Sequence, residues 1–235
     1  MRSRLVFSML AILMCLAFCQ TGAEATIFRM RFQVYTLNLY VPSGSPPSQF
    51  LQVNVTIGDS LQRPYDAVKS LKVYAPAADG TVFDLTNNWM ESGQVYYARL
   101  KPSDFKTGKI PGGTYKAVVI GKDNSTLTQY QSISGAFLGY SAVTSPLAGS
   151  TVANLTPLIQ WNPVTGAQYY SINLWLVTAA GEYNSAGYTV YRNSFQVPPG
   201  VLRPGADVHV SVNAYDSDKN LTKGSTSASL NFKTP

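Results

Sequence analysis

Between Phe28 and Val34 apolar and polar side chains alternate one for one, with Phe28, Met30, Phe32 and Val34 set against Arg29, Arg31 and Gln33. A period of two puts successive side chains on opposite faces of an extended strand. The pattern returns at Leu51, Val53, Val55 and Ile57, interleaved with Gln52, Asn54 and Thr56. No segment beyond residue 25 carries a convincing helical period. The chain is therefore expected to be all-β. Composition agrees: charged residues are 13% of the chain, against 15 Tyr, 18 Gly and 14 Pro. Few charges, many aromatics and frequent turn formers favour short strands joined by tight turns.

Turn chemistry divides the chain into two units, residues 26–140 and 145–235. In the first, Leu37, Leu39 and Val41 continue the opening strand on a shifted phase, which predicts a bulge near Tyr35. Further strands are expected at 51–57, 71–75, 82–85, 94–100, 115–120 and 126–133. Asp79-Gly80 predicts a tight two-residue hairpin turn, because such a turn needs the positive φ that Gly supplies. In the second unit strands are expected at 157–161, 169–178, 188–191, 194–197, 208–215 and 227–233, with 216–224 among the turns. Residues 142–146 read as a short link that leaves the units end to end with limited freedom. Strands of this length and spacing predict two tandem antiparallel β-sandwiches.

Residues 1–25 have the order of a cleavable export signal. Arg2 and Arg4 precede an apolar run to Phe18, broken by Ser8 and Cys15, and Ala23-Glu24-Ala25 supplies a small-x-small site. The run is shorter than the about 20 residues of a membrane span. Leu16-Ala17-Phe18-Cys19 offers a second reading, a lipoprotein anchored at Cys19, although Phe18 stands where a small residue is wanted. An uncleaved anchor is a third. Both cysteines, Cys15 and Cys19, lie in the leader. The exported product would then lack disulfides and thiolate ligands and depend on core packing. That suits a bacterial envelope or secreted protein, in the periplasm, at the cell surface or outside the cell. Loss of Arg2, Arg4 and Glu24 takes the net charge from +6 to +5. No two Lys or Arg are adjacent in what remains, so the clustered basic footprint of a nucleic-acid binder is missing.

Groups for catalysis are sparse. His209 is the one histidine, and the glutamates beyond the leader, Glu91 and Glu182, fall in different units. A triad needs an oriented base and a zinc site needs several ligands, so neither an enzyme nor a cofactor is expected. Asp216, Asp218 and Asn220 place oxygens at alternate positions, the opening of a calcium loop. They lack its glycine and distal glutamate, and a polar hairpin loop is the competing reading.

The second unit resembles fibronectin type III and related bacterial immunoglobulin-like modules. The residues that carry this are Pro157-Leu158-Ile159-Gln160-Trp161-Asn162-Pro163, then Gly166-Ala167-Gln168-Tyr169-Tyr170, then Leu202-Arg203-Pro204-Gly205 leading into Val208–Ala214. The resemblance implies that Trp161 is a core residue and that Tyr170, Ile172 and Leu174 point inward. Val208 stands where the family often has the tyrosine of a tyrosine corner, so that hydrogen bond is expected to be absent. The first unit is immunoglobulin-like in pattern alone; its Gly113–Val119 run echoes Gly205–Val212, which leaves open whether the two are copies of one sandwich.

In such a fold the strands at 169–178 and 208–215 are neighbours. Their outward residues would be Tyr169, Ser171, Asn173 and Trp175 beside His209, Ser211, Asn213 and Tyr215. The binding face expected from these is Tyr169, Asn173, Trp175, His209, Asn213 and Tyr215. Aromatic area combined with amide groups fits a protein partner, or a polysaccharide. The competing reading is cross-strand pairing that stabilises the sheet and nothing more.

Overall fold

The computed structural model describes residues 25–40, 48–60, 62–178, 181, 183–217, 219–227 and 229–235. The leader through residue 24, with Cys15 and Cys19, lies outside them, as do Glu182 and Asp218. The first half contains β1 (Ile27–Leu39), β2 (Ser48–Asp59), a one-turn helix α1 (Pro64–Ala67), β3 (Val68–Tyr74), β4 (Val82–Asp84), β5 (Trp89–Met90), β6 (Val95–Leu100), β7 (Gly113–Gly121) and β8 (Thr126–Ile133). The order β1-β2-β6-β5 faces β4-β3-β7-β8. The second half contains β9 (Val143–Ser145), β10 (Leu158–Trp161), β11 (Tyr169–Val177), β12 (Tyr183–Val190), β13 (Ser194–Gln196), β14 (Asp207–Tyr215), β15 (Lys223–Thr226) and β16 (Leu230–Lys233). Here β13-β10-β9 faces β12-β11-β14, and β14 also pairs with β15 and β16.

The fold is thus two all-β sandwiches in tandem, each with its own core. Val34, Leu51, Val53, Leu71 and Tyr115 belong to the first; Ile159, Trp161, Ile172, Leu174 and Val208 belong to the second. Burying one such side chain contributes about 1.5–3 kcal/mol. The alternation seen in sequence is the alternation of burial: along β11 inward Tyr170, Ile172, Leu174 and Leu176 are buried while their neighbours are partly exposed. Ala25, which the leader reading assigns to the removed segment, is buried in the first core.

The two halves share one sheet. Strand order runs β12-β11-β14-β15-β1-β2-β6-β5, so the sheet crosses from one sandwich into the other between β15 and β1. That pairing is parallel, with Thr36 opposite Lys223, Leu37 opposite Gly224 and Asn38 opposite Ser225. Further down, the free edge of β1 is satisfied by side chains. The Phe32 amide donates to Gln129 Oε1 (2.9 Å) and the Val34 amide to Gln131 Oε1 (2.7 Å), while Gln131 Nε2 donates to the Leu221 carbonyl (2.7 Å). Two glutamines of β8 therefore do for β1 what a neighbouring strand would, as buried backbone groups require.

Four expectations are corrected. No bulge interrupts β1 near Tyr35; its register with β2 is unbroken from Arg29 to Leu39. The apolar phase shifts because Tyr35 and Leu37, on the outer face, are covered by Leu221 and Tyr215 of the second half. The Asp79-Gly80 hairpin has a longer turn than two residues: Tyr74 pairs with Val82, the Ala75 amide bonds the Thr81 carbonyl, and Gly80 closes the loop at φ 66°. The segment at 142–146 is no free link, since Val143–Ser145 is β9. Lys223 and Gly224 are strand, not turn, because β1 offers them an edge.

Both sandwiches fasten the turn before their penultimate long strand. In the first, the Tyr115 hydroxyl donates to the Pro111 carbonyl at 2.9 Å, a tyrosine corner. In the second, Val208 occupies the equivalent region and Thr234 takes over: its hydroxyl donates to the Arg203 carbonyl (2.6 Å) and accepts from the Ala206 amide (2.7 Å).

Asp79 ties the hairpin to the loop beyond β6. Its carboxylate accepts from the Thr107 amide (2.9 Å) and hydroxyl (2.7 Å), and from the Thr81 amide (3.2 Å) and hydroxyl. Burial opposes ionisation there, but these bonds outweigh it and hold the carboxyl down at about 2 against an ordinary 3.8. The stabilisation is thus complete above the unfolded value of 3.8 and is lost as pH falls toward 2. Asp79→Ala is expected to cost about 1–3 kcal/mol at neutral pH, because it removes the part-buried hydrogen bonds that its carboxylate accepts. Urea unfolding across the acid range should show the variant's deficit shrinking below pH 4; an undiminished deficit at the lowest pH would contradict the assignment.

Candidate binding face

The outer side of β11 and β14 is built by strict register. Tyr169 lies opposite Tyr215, Ser171 opposite Asn213, Asn173 opposite Ser211 and Trp175 opposite His209. Tyr169, Asn173, Trp175, His209, Asn213 and Tyr215 are each partly exposed and share this face. The structure therefore brings all the sequence-predicted residues together, in a double column. Tyr169 and Tyr215 stack at 5.0 Å with rings 22° apart, and Tyr191 extends the row at 6.1 Å. Such aromatic pairs are worth about 0.5–1.5 kcal/mol beyond their buried area. Gly187 of β12 lies opposite Asn173, and a Cβ there would approach Asn173 Oδ1 to 3.6 Å. The small residue keeps the Asn173 amide uncovered. At the far end Trp175, Val177, His209 and Ser229 line a shallow depression of about 290 Å³.

The face does not stop at the second sandwich. Tyr215 is paired with Gly224, and Gly224 with Leu37 of β1. A Cβ on Gly224 would come within 3.2 Å of the Tyr215 ring and 3.3 Å of the Tyr35 ring. Glycine at this position lets the two rings close over the junction. Burial pushes the Tyr35 phenol above its ordinary range, the nearby Tyr215 and Tyr97 phenols add to this, and a hydrogen bond from Asn54 and the Arg99 charge pull back. Tyr215 is raised as well, by burial.

Beyond Tyr35 the face becomes an amide network. Gln52 Nε2 donates to the Tyr35 hydroxyl (2.5 Å), and the Tyr97 hydroxyl and Arg99 Nε both reach Gln52 Oε1 at 3.4 Å. The Arg99 guanidinium lies 5.6 Å from the centre of the Tyr97 ring. Arg31, Gln33, Asn54, Thr56 and Tyr97 border a second depression of about 380 Å³. None of these residues was marked as a site from sequence. The alternation of β1 and β2 exposes their outward faces in the text of the chain, but the β1–β15 pairing that aligns them with Tyr215 has no local signature.

The loop at 216–220 is closed by its own carboxylate. Asp216 Oδ1 accepts from the Thr222 amide (3.0 Å) and the Lys223 amide (2.9 Å), and Oδ2 accepts from the Thr222 hydroxyl. The Asn220 amide donates to Ser217 Oγ (3.1 Å), and Asp218 lies outside the described residues. Asp216 thus spends its oxygens on the turn. Among the described residues no three His, Cys, Asp or Glu side chains converge as a metal set would.

No family model and no curated relative matches the chain. Solved structures do. The fn3 domain of the human collagen α1(XX) chain is 25% identical over 41% of this chain and 88% of that one, with a TM-score of 0.31. A two-domain fibronectin type III segment of chicken tenascin is 14% identical over 87% of this chain and 98% of that one, at 0.30. Tp47, the 47-kilodalton lipoprotein of Treponema pallidum, is 9% identical at 0.42; the match covers 92% of this chain and 52% of that one, about half its length. Strand order decides the architecture: β13-β10-β9 faces β12-β11-β14 with β15 and β16, and Trp161, 2% exposed, lies between the layers. The second sandwich is fibronectin type III-like. Within this module Tyr170, Ile172 and Leu174 point inward, which is what turns Tyr169, Asn173 and Trp175 outward.

Proposed function

We propose that the chain is an exported, non-catalytic binding protein that holds a protein partner against the continuous face of its nine-stranded sheet. The proposal takes residues 26–140 and 145–235 as two modules of one part of an envelope or extracellular assembly, in the periplasm, at the cell surface or outside the cell. Export is read from the leader at residues 1–25, with cleavage after Ala25 or anchoring at Cys19. Among the described residues no helix is long and apolar enough to cross a membrane.

The observation that carries this reading is the partly exposed row of Tyr191, Tyr169 and Tyr215, which runs from the edge of one sandwich to the junction, where Tyr215 packs over the buried Tyr35 of the other. Asn173 and Trp175 continue the face along β11 from Tyr169, and Tyr97 and Arg99 lie on it beyond the junction. Protein interfaces are enriched in Tyr, Trp and Arg, and their energy concentrates on a few such anchors. Trp175→Ala is therefore expected to weaken capture of the partner from the native host's envelope fraction by about 30-fold or more, the effect of a hot-spot residue. Equal capture by wild type and variant would contradict the reading. The Trp175, His209 and Ser229 depression also admits a single sugar ring, so retention on a polysaccharide matrix, lost in the same variant, would transfer the face to carbohydrate.

A further inference from the structure

A cleft at the β5 edge of the sheet, away from the Tyr169–Tyr215 row, has the make-up of a ligand site. Its volume is about 570 Å³, inside the range of roughly 300–1,000 Å³ typical of small-molecule sites. Two aromatic rings form its walls. Tyr65, on α1, is 56% exposed, and its ring lies 6.4 Å from that of Trp89 at 41°, a wedge open to solvent. Trp89 is not free to swing. Its ring meets Tyr96 edge-on at 5.1 Å, and Tyr96 is wholly buried in the first core. One wall is therefore fixed before any ligand arrives, which lowers the entropic cost of binding.

The polar lining is uncommitted. The side chains of Asp66, Asn87 and Glu91 and the Arg63 guanidinium make no hydrogen bond or ion pair with other described residues. Two more residues of the cleft, Gln62 and Gln94, hold left-handed backbone at φ 55° and φ 49°. Only one other non-glycine residue among those described does so, Asn124. Such conformations each cost about 1–3 kcal/mol and gather where a ligand is clamped.

We propose that this cleft binds a neutral saccharide. The C–H face of a sugar ring matches the Tyr65 and Trp89 planes, and its hydroxyls match an array of carboxylates and amides that both accept and donate. Asp66 and Glu91 outnumber Arg63, so the cleft disfavours anionic polymers. This site is separate from the partner face proposed above and stands or falls independently of it.

The test uses the purified chain with cellohexaose, mannohexaose and chitohexaose as neutral probes and polygalacturonate as the anionic one, followed by calorimetry and saturation-transfer NMR. At least one neutral hexamer should bind with a Kd of about 1 mM or tighter. Tyr65→Ala should weaken it at least about tenfold, and Glu91→Gln should weaken it measurably. Tyr65 is exposed, so thermal unfolding should show its variant folded; Tyr65→Phe, keeping the ring, should retain binding. No binding by any neutral hexamer, tighter binding of polygalacturonate, or undiminished affinity in Tyr65→Ala would each overturn the proposal.

Discussion

Replacing Thr36 by valine and Asn38 by leucine together is expected to lower stability by about 2–4 kcal/mol and to divide a single unfolding transition into two. Both residues are buried, at 0% and 6% exposed, in the stretch of β1 that pairs with β15. The Thr36 hydroxyl donates to the Ala136 carbonyl (2.5 Å). Asn38 Nδ2 donates to the Leu138 carbonyl (2.9 Å), and its Oδ1 accepts from the Tyr140 hydroxyl (2.8 Å). These bonds pin the crossing segment to the junction. Removing them takes a donor from the Ala136 carbonyl and from the buried Leu138 carbonyl, at about 1–3 kcal/mol each, while the Tyr140 hydroxyl keeps the Leu39 carbonyl at 3.1 Å; neighbouring effects overlap. Each sandwich keeps its own core, so each should then melt by itself. Differential scanning calorimetry reads the outcome directly, and one undivided, unshifted transition would show that the junction contributes nothing.

Trp161→Ala should cost more, about 3–5 kcal/mol, the range for emptying an aromatic site in a core. Trp161 meets Tyr170 edge-on at 5.3 Å, and the Tyr170 hydroxyl accepts from the Val164 amide at 2.9 Å. A cavity there loosens the start of β11 and with it Tyr169 on the outer face. Trp161→Phe should cost clearly less. The indole Nε1 is buried with no hydrogen-bond partner among the described residues, so its removal relieves a desolvated donor and offsets part of the lost area. Urea unfolding followed by far-UV circular dichroism separates the two variants. Both variants remove the nitrogen and only phenylalanine keeps a ring in the site, so equal losses would contradict the packing role given to Trp161.

The parts of the fold that were legible in the chain are those set by local period. Alternation located β1, β2, β11 and β14, and in β11 and β14 it also set which residues face out, the column Tyr169, Asn173 and Trp175 with its partner column. In β1 it did not, since Phe28, in phase with buried Met30, is 65% exposed beside the pairing irregularity at Ile27 and Arg29. Trp161 was legible through its motif. The parts that were not legible depend on distant chain segments. Tyr35 and Leu37 look like a phase error in β1 until Leu221 and Tyr215 are placed over them. Gly224 reads as turn chemistry, yet it is strand, paired with Tyr215 on one side and Leu37 on the other. Gln129 and Gln131 are ordinary polar positions of β8 until their amides are seen bonding the edge of β1. The Tyr65–Trp89 wedge joins residues on either side of two strands, and neither carries a periodic signal.

The continuous sheet is the claim on which the rest depends, since without it the aromatic row breaks at Gly224. The Thr36 amide donates to the Thr222 carbonyl at 3.0 Å, across the two halves. Its hydrogen-exchange rate is the direct test. Protection comparable to that of core amides such as Val53 is predicted, together with its loss in the Thr36→Val, Asn38→Leu chain. Rapid exchange of the Thr36 amide in the unaltered protein would contradict the account.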